Sequence, residues 1–160
     1  MAIPKPLRHV KSASGHALEY DLISAGTVYD GALCVKANGA IAECGSDPSE
    51  VSYFTQNANT ASVPGSSAGL ILAGKIRSTD TFEINAYHTT AANATVPDSA
   101  LDALADYGVI KATVSGVVAW FLDLEETTTD VVRLIARLDS ATEQYPRCQV
   151  QFVQAPLTFE

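Results

Sequence analysis

Between residues 117 and 153 three short segments read as strands of period two. Val118, Trp120, Leu122 and Leu124 fall on one face of an extended chain, and Arg133, Ile135 and Arg137 on one face of the next. Cys148, Val150 and Phe152 then alternate with Gln149 and Gln151. A period of two collects its apolar set on one face of a sheet and scatters it around a helix. The polar run Glu125-Glu126-Thr127-Thr128-Thr129-Asp130 supplies the turn between the first two strands. Strand pairing therefore has to organise this chain.

The same period runs upstream, over residues 17–24, 31–44, 51–56, 70–76 and 81–88, and again over 109–115, with Gly, Asp and Pro as punctuation. Asn38-Gly39 is a hairpin signal, because a type I′ turn needs φ > 0 at both central residues. It predicts Ala37 opposite Ala40 and Cys34 opposite Glu43. Residues 57–67 (NANTASVPGSS) read as a long polar loop. One segment reads as a helix: Pro97-Asp98-Ser99 opens it, Leu101 and Leu104 face inward, and Tyr107-Gly108 closes it. The expected fold is mainly β, an antiparallel β-sandwich or barrel of short strands with one short α-helix over about residues 98–107. Residues 17–160 show no internal repeat and read as a single β-rich domain.

The 160 residues carry 10 Lys+Arg against 18 Asp+Glu, a net charge of −8. That balance argues against nucleic acid as a partner, since such affinity is built on Lys and Arg neutralising phosphates. An apolar share of 47% excludes intrinsic disorder, and no run reaches the ~18 apolar residues that a membrane helix needs. Ala, with 24 copies, outnumbers Leu at 13 and Ile at 8, so the core buries little area per residue. An assembly partner is the expected remedy.

The charge is unevenly spread. Residues 1–16 hold Lys5, Arg8 and Lys11 and no acid, which leaves seven bases against 18 acids, a net −11, in residues 17–160. Pro4 and Pro6 exclude a regular helix there, and no apolar stretch marks a secretory signal. Residues 1–16 read as an extended basic arm, with Lys5, Arg8 and Lys11 as the cations that dock it on an acidic neighbour.

Several patterns invite a chemical reading. Gly65-Ser66-Ser67-Ala68-Gly69 spells the G-x-S-x-G nucleophile elbow, and Ser67, Asp80 and His88 stand in hydrolase order. The elbow needs a strand before its serine and a helix after it. Here a Pro-containing loop precedes and a strand follows, so Ser67 reads as a loop serine. His9, His16 and His88 lack metal-ligand spacing, and His88, ending a strand, reads as structural. Asp123, Glu125, Glu126 and Asp130 lack the Asx-x-Asx-x-Asx-Gly loop of a calcium site and read as a solvated acidic turn. Asn93-Ala94-Thr95 spells a glycosylation sequon, which matters only on a secretory route. Cys34, Cys44 and Cys148 are odd in number, and the hairpin register sets Cys34 and Cys44 on opposite faces. Buried free thiols, as in a reducing cytoplasm, are expected. No catalytic, cofactor or metal site follows from these patterns. Trp120, the only tryptophan, is the expected anchor of the core, and it needs a partner for its indole N–H.

The run Thr81-Phe82-Glu83-Ile84-Asn85-Ala86-Tyr87-His88-Thr89-Thr90-Ala91-Ala92 resembles a segment of the small head decoration (cement) proteins of tailed bacteriophages. So do the Ala/Leu segment ending in Tyr107-Gly108, the strand Val117-Val118-Ala119-Trp120-Phe121-Leu122-Asp123-Leu124, and the turn and strand Glu126-Thr127-Thr128-Thr129-Asp130-Val131-Val132-Arg133-Leu134. The resemblance covers roughly residues 80–140. It implies a small, β-rich, non-enzymatic virion protein, often trimeric. Such a protein sits on the outer capsid surface and bridges subunits of the major capsid protein after synthesis in the host cytoplasm. Another virion component, such as a tail-tube subunit or a host-binding knob, and a small serine hydrolase using Ser67 are the alternatives.

Overall fold

The computed structural model describes residues 4–11, 18–61, 69–91, 94–126, 128–140 and 142–153. Among them are thirteen strands: β1 (Arg8–Lys11), β2 (Leu18–Leu22), β3 (Gly26–Val28), β4 (Leu33–Ala37), β5 (Ala40–Glu43), β6 (Tyr53–Thr55), β7 (Asn59–Ala61), β8 (Leu70–Lys75), β9 (Thr81–Tyr87), β10 (Asp106–Val114), β11 (Val117–Asp123), β12 (Val132–Arg137) and β13 (Arg147–Phe152). β9, β11, β10, β12 and β13 pair in that order, and β13 returns to β9 to close a five-stranded barrel. The β9–β11 pair is parallel and the other barrel pairs are antiparallel. β1 adds to β9 outside the ring. A second sheet, ordered β2-β8-β6-β4-β5, rolls until Ile23 bridges Ile41, and β3 and β7 form a separate ribbon. Between the expected sandwich and barrel, the chain forms a barrel with additional sheets.

One buried cluster runs through both large sheets, joining Leu33, Phe54 and Ile71 to Phe82, Trp120, Leu122, Val150 and Phe152. Trp120 is 1% exposed, and its indole N–H donates to Glu43 Oε1 at 3.0 Å, so the core tryptophan finds its partner on the other sheet. The opposite face of β11 is also covered. Ala119 and Phe121 pack with Val114 and Tyr145 in a second cluster, where Tyr87 and Tyr145 flank the Phe121 ring at 5.1 and 5.9 Å. The Asn38-Gly39 turn has φ of 51° and 77°, and its hairpin pairs Ala37 with Ala40 and Cys34 with Glu43, the predicted register.

Four expectations need correction. The helix over residues 98–107 does not form. Asp98–Ala100 is a single 3-10 turn, and Asp106 and Tyr107 already pair with β12. The backbone there bonds across to a neighbouring strand: the Leu104 N–H donates to Leu134 O at 2.7 Å, and the Leu134 N–H to Ala105 O at 3.0 Å. Leu101 is buried, but Leu104 stands 69% exposed with φ of 69°. Gly108 is no helix cap either. A Cβ there would lie 2.5 Å from Glu126 Cγ, so the strand needs glycine for close approach.

The loop over 57–67 contains strand β7, which pairs with β3, a strand the sequence did not announce; residues 62–67 lie outside the described residues. The shared face of Arg133, Ile135 and Arg137 is broken by a register shift between Leu134 and Ala136, which turns the Arg137 side chain inward to 11% exposure. Lastly, the expected extended arm lies against the body in its described part, residues 4–11, where Arg8, His9 and Lys11 pair with β9.

Candidate functional site

The N-terminal segment presents two buried side chains to the body and most of the rest to solvent or the cleft. Pro4 and Leu7 are buried, while Lys5, Pro6, Arg8 and Val10 are exposed. The Lys5 main-chain N–H donates to Asn85 Oδ1 at 3.0 Å, and Asn85 Nδ2 donates to the Tyr145 carbonyl at 2.6 Å. Leu7 passes directly over Gly31, where a Cβ would lie 2.7 Å from both the nitrogen and the oxygen of Leu7; φ there is +68°. Only glycine satisfies the conformation and the clearance together. The His9 ring packs 5.6 Å from Phe54 and 5.3 Å from Phe82, with Nε2 at 3.9 Å from Oδ1 of the fully buried Asp80. These contacts make the segment a strap.

Between residues 5–9 of the strap and the body opens a cleft of about 490 Å³. Strand register places its charges. Arg8 pairs with Glu83 across β1 and β9, and Arg147 pairs with Asn85 across β13 and β9, so both guanidiniums flank Glu83 from neighbouring strands. Arg8 Nη2 and Arg147 Nη1 each stand 3.9 Å from Glu83 Oε2. The Arg8 side chain is 72% exposed and that of Glu83 only 18%. The other edge of Arg147 grips Asp139, with Nη2 at 3.0 Å and Nε at 3.2 Å, and these bonds hold the Asp139 carboxyl below the usual carboxylate range. Asp30 and Gln56 complete the rim.

Of the three expected docking cations, Lys5 and Arg8 therefore meet at the cleft, while Lys11 stands opposite Thr81 at the other end of β1. Arg147, Glu83 and Asn85 were not singled out from the sequence. Their one sequence signal is that they occupy the polar positions of two alternating strands, which marks a solvent face and nothing more specific.

The other sequence candidates go different ways. Ser67, His16 and Asn93 lie outside the described residues. Asp80 pairs with His9, whereas His88 Nδ1 lies 3.7 Å from Glu125 Oε1, so the aspartate and histidine of the hydrolase order have separate partners. The acidic turn is bound up in hydrogen bonds, within itself and to Thr89 and Thr90. Glu125 accepts from the hydroxyls of Thr89 and Thr90, which hold its carboxyl down at about 2. Glu126 Oε1 accepts from the Thr129 N–H at 3.2 Å. Among the described residues no group of three or more His, Cys, Asp or Glu is placed to hold a metal ion. Cys34, Cys44 and Cys148 are buried and free, and burial pushes the Cys44 and Cys148 thiols up to about 12 and Cys34 higher still. Neutral thiols of that kind are poor nucleophiles. No family model, no curated protein and no solved structure matches the chain.

Proposed function

We propose that this protein is a non-enzymatic virion component that binds the outer surface of a tailed-phage capsid and stabilises it by bridging subunits of the major capsid protein. The observation that carries this reading is the cleft. The two most N-terminal cations of a −8 chain meet a third, Arg147, on a rigid barrel, a surface suited to an acidic neighbour. The region that resembles decoration proteins, residues 80–140, spans β9 to β12, and β9 contributes Glu83 and Asn85 to the cleft. Copies of the chain assemble as a homotrimer in this reading, and the protein is made in the host cytoplasm before it joins the shell. The mechanism is mass action: a ligand of the assembled state alone stabilises it by RT ln(1 + [L]/Kd), about 2.7 kcal/mol per site at 100 Kd.

The test is co-sedimentation with empty shells of the phage that encodes the chain. Because Leu7 belongs to the core and the His9 ring packs on Phe54 and Phe82, the variant is Lys5→Glu with Arg8→Glu, which changes charge alone. The expected result is saturable binding that the double variant loses at an unchanged melting temperature. Binding should also weaken with salt, as the Debye length falls from ~10 Å at 0.1 M to ~3 Å at 1 M. No binding to shells overturns the reading. Hydrolysis of a generic ester that Ser67→Ala abolishes replaces it with an enzyme.

A further inference from the structure

We propose that the cleft under the strap seats an extended acidic segment of a partner protein, with one carboxylate between Arg8 and the outer edge of Arg147 and another on Lys5. This rests on the reading of the cleft as the docking site and names the chemistry of what docks there. The Arg8 guanidinium makes no hydrogen bond among the described residues. Its closest charge, Glu83 Oε2, is 3.9 Å away, beyond the ~2.7–2.9 Å of a charge-assisted bond. Arg147 Nη1 faces the same oxygen at the same distance. Two guanidinium edges thus converge on a carboxylate that bonds neither, and a second carboxylate between them would complete both. Lys5 is exposed on the same strap and anchored through its main chain, and its ammonium group, whose field also reaches Asp139, can make a second contact.

The wall chemistry selects a peptide over a nucleic acid. Asp30 and Glu83 stand among the cations. A duplex with a charge every ~1.7 Å would meet both carboxylates and then a body of net negative charge. For a peptide the same two acids are acceptors for main-chain N–H groups, and the exposed Gln56 amide can both donate and accept. The cleft lies within the roughly 300–1,000 Å³ range of ligand pockets. Because it follows the strap over residues 5–9, it suits a chain rising ~3.3 Å per residue better than a compact ligand.

Fluorescence anisotropy on the full chain tests this. The probes are a labelled, capped peptide of alternating Glu and Ser, its Gln/Ser counterpart, and an oligothymidylate. The Glu/Ser peptide is expected to bind and the Gln/Ser peptide not to. Arg8→Gln should weaken binding by about tenfold or more, the loss of a charge-assisted pair. Glu83→Gln, which removes the internal competitor, should tighten it a few-fold. Lys5→Gln leaves the main-chain bond to Asn85 intact and provides the second variant if Arg8→Gln alters the melting temperature. Equal binding of both peptides, or no effect of Arg8→Gln and Lys5→Gln, overturns the proposal. Tighter binding of the oligothymidylate reassigns the cleft to nucleic acid. Shell binding without peptide binding removes this inference and leaves the capsid reading standing, and peptide binding without shell binding does the reverse.

Discussion

The β10–β11 hairpin and the N-terminal strap are both strands of one sheet, yet they are held in opposite ways. The hairpin pairs seven residues on each side in unbroken register, from Gly108 with Asp123 to Val114 with Val117, through a turn that links them directly. β1 pairs three residues with β9, and its register shifts between His9 and Lys11. What secures the strap lies far away in sequence: the buried Leu7 over Gly31, the His9 ring against Phe54 and Phe82, and the Asn85 side chain. A local hairpin closes its loop at little entropic cost and survives the loss of a single contact. A strap depends on each of its few long-range contacts, and that dependence lets it shape a cleft that a hairpin could not.

The largest effect should come from the hairpin side. Trp120→Ala removes a fully buried ring and the partner of Glu43, and should cost ~3–5 kcal/mol in denaturant unfolding. A loss under about 1 kcal/mol would mean that the joint between the two sheets is carried elsewhere. Next comes Leu7→Ala, expected to cost about 2–3 kcal/mol because an edge segment relaxes into part of its cavity. Its signature is local: amide exchange should accelerate in β1 and stay slow across β10 and β11. Uniform acceleration would erase the distinction between strap and hairpin.

Gly31→Ala should act through the same strap with a smaller direct cost. The left-handed backbone contributes on the order of 1–2 kcal/mol, and the new Cβ, within 2.7 Å of the Leu7 backbone, pushes the strap off the body. Faster exchange in β1 and weaker Glu/Ser peptide binding should appear together; either one alone would uncouple strap position from the cleft.

The smallest effect is a pH dependence at Glu43. Burial pushes its carboxyl above 4.5, against the Trp120 N–H and Lys111, so the folded chain holds that proton more tightly than the unfolded one. The contribution favours folding below the unfolded value and is lost as pH rises through 4.5 and beyond. Glu43→Gln still accepts from Trp120 and cannot ionise. The melting temperature of the variant relative to the parent should therefore rise between about pH 4 and about pH 7. A flat difference would show that Lys111, 3.6 Å from Glu43, compensates the buried charge in full.

Where the sequence read correctly, the information was local. Asn38-Gly39 specified both a turn and a register, because a two-residue I′ turn leaves no freedom in what faces what. The alternation through Trp120 and Leu122 specified a buried face, because a strand offers only two. The helix over 98–107 was read from equally local signals, Pro97 at one end and Gly108 at the other, and it failed. Its backbone groups found partners on β12, and Gly108 serves the approach of Glu126. The alternation of β11 announced the core around Trp120 but not the second cluster around Phe121, whose cover comes from Tyr87 and Tyr145 on distant segments.

The candidate site divides along the same line. A basic N-terminus on an acidic chain, with Lys5 and Arg8 in it, is a property of composition and was readable without any structure. That these cations lie on a fixed strap, opposite Glu83 and beside Arg147, required β1, β9 and β13 to be laid side by side. Sequence alone determined the strands of the alternating segments, the turn at Asn38-Gly39 and the sign of the arm's charge, since each depends on residues within a few positions of one another. Tertiary structure decided barrel closure, the fate of residues 98–107 and the existence of the cleft, since each depends on which distant backbone and side-chain groups satisfy one another once the core has closed.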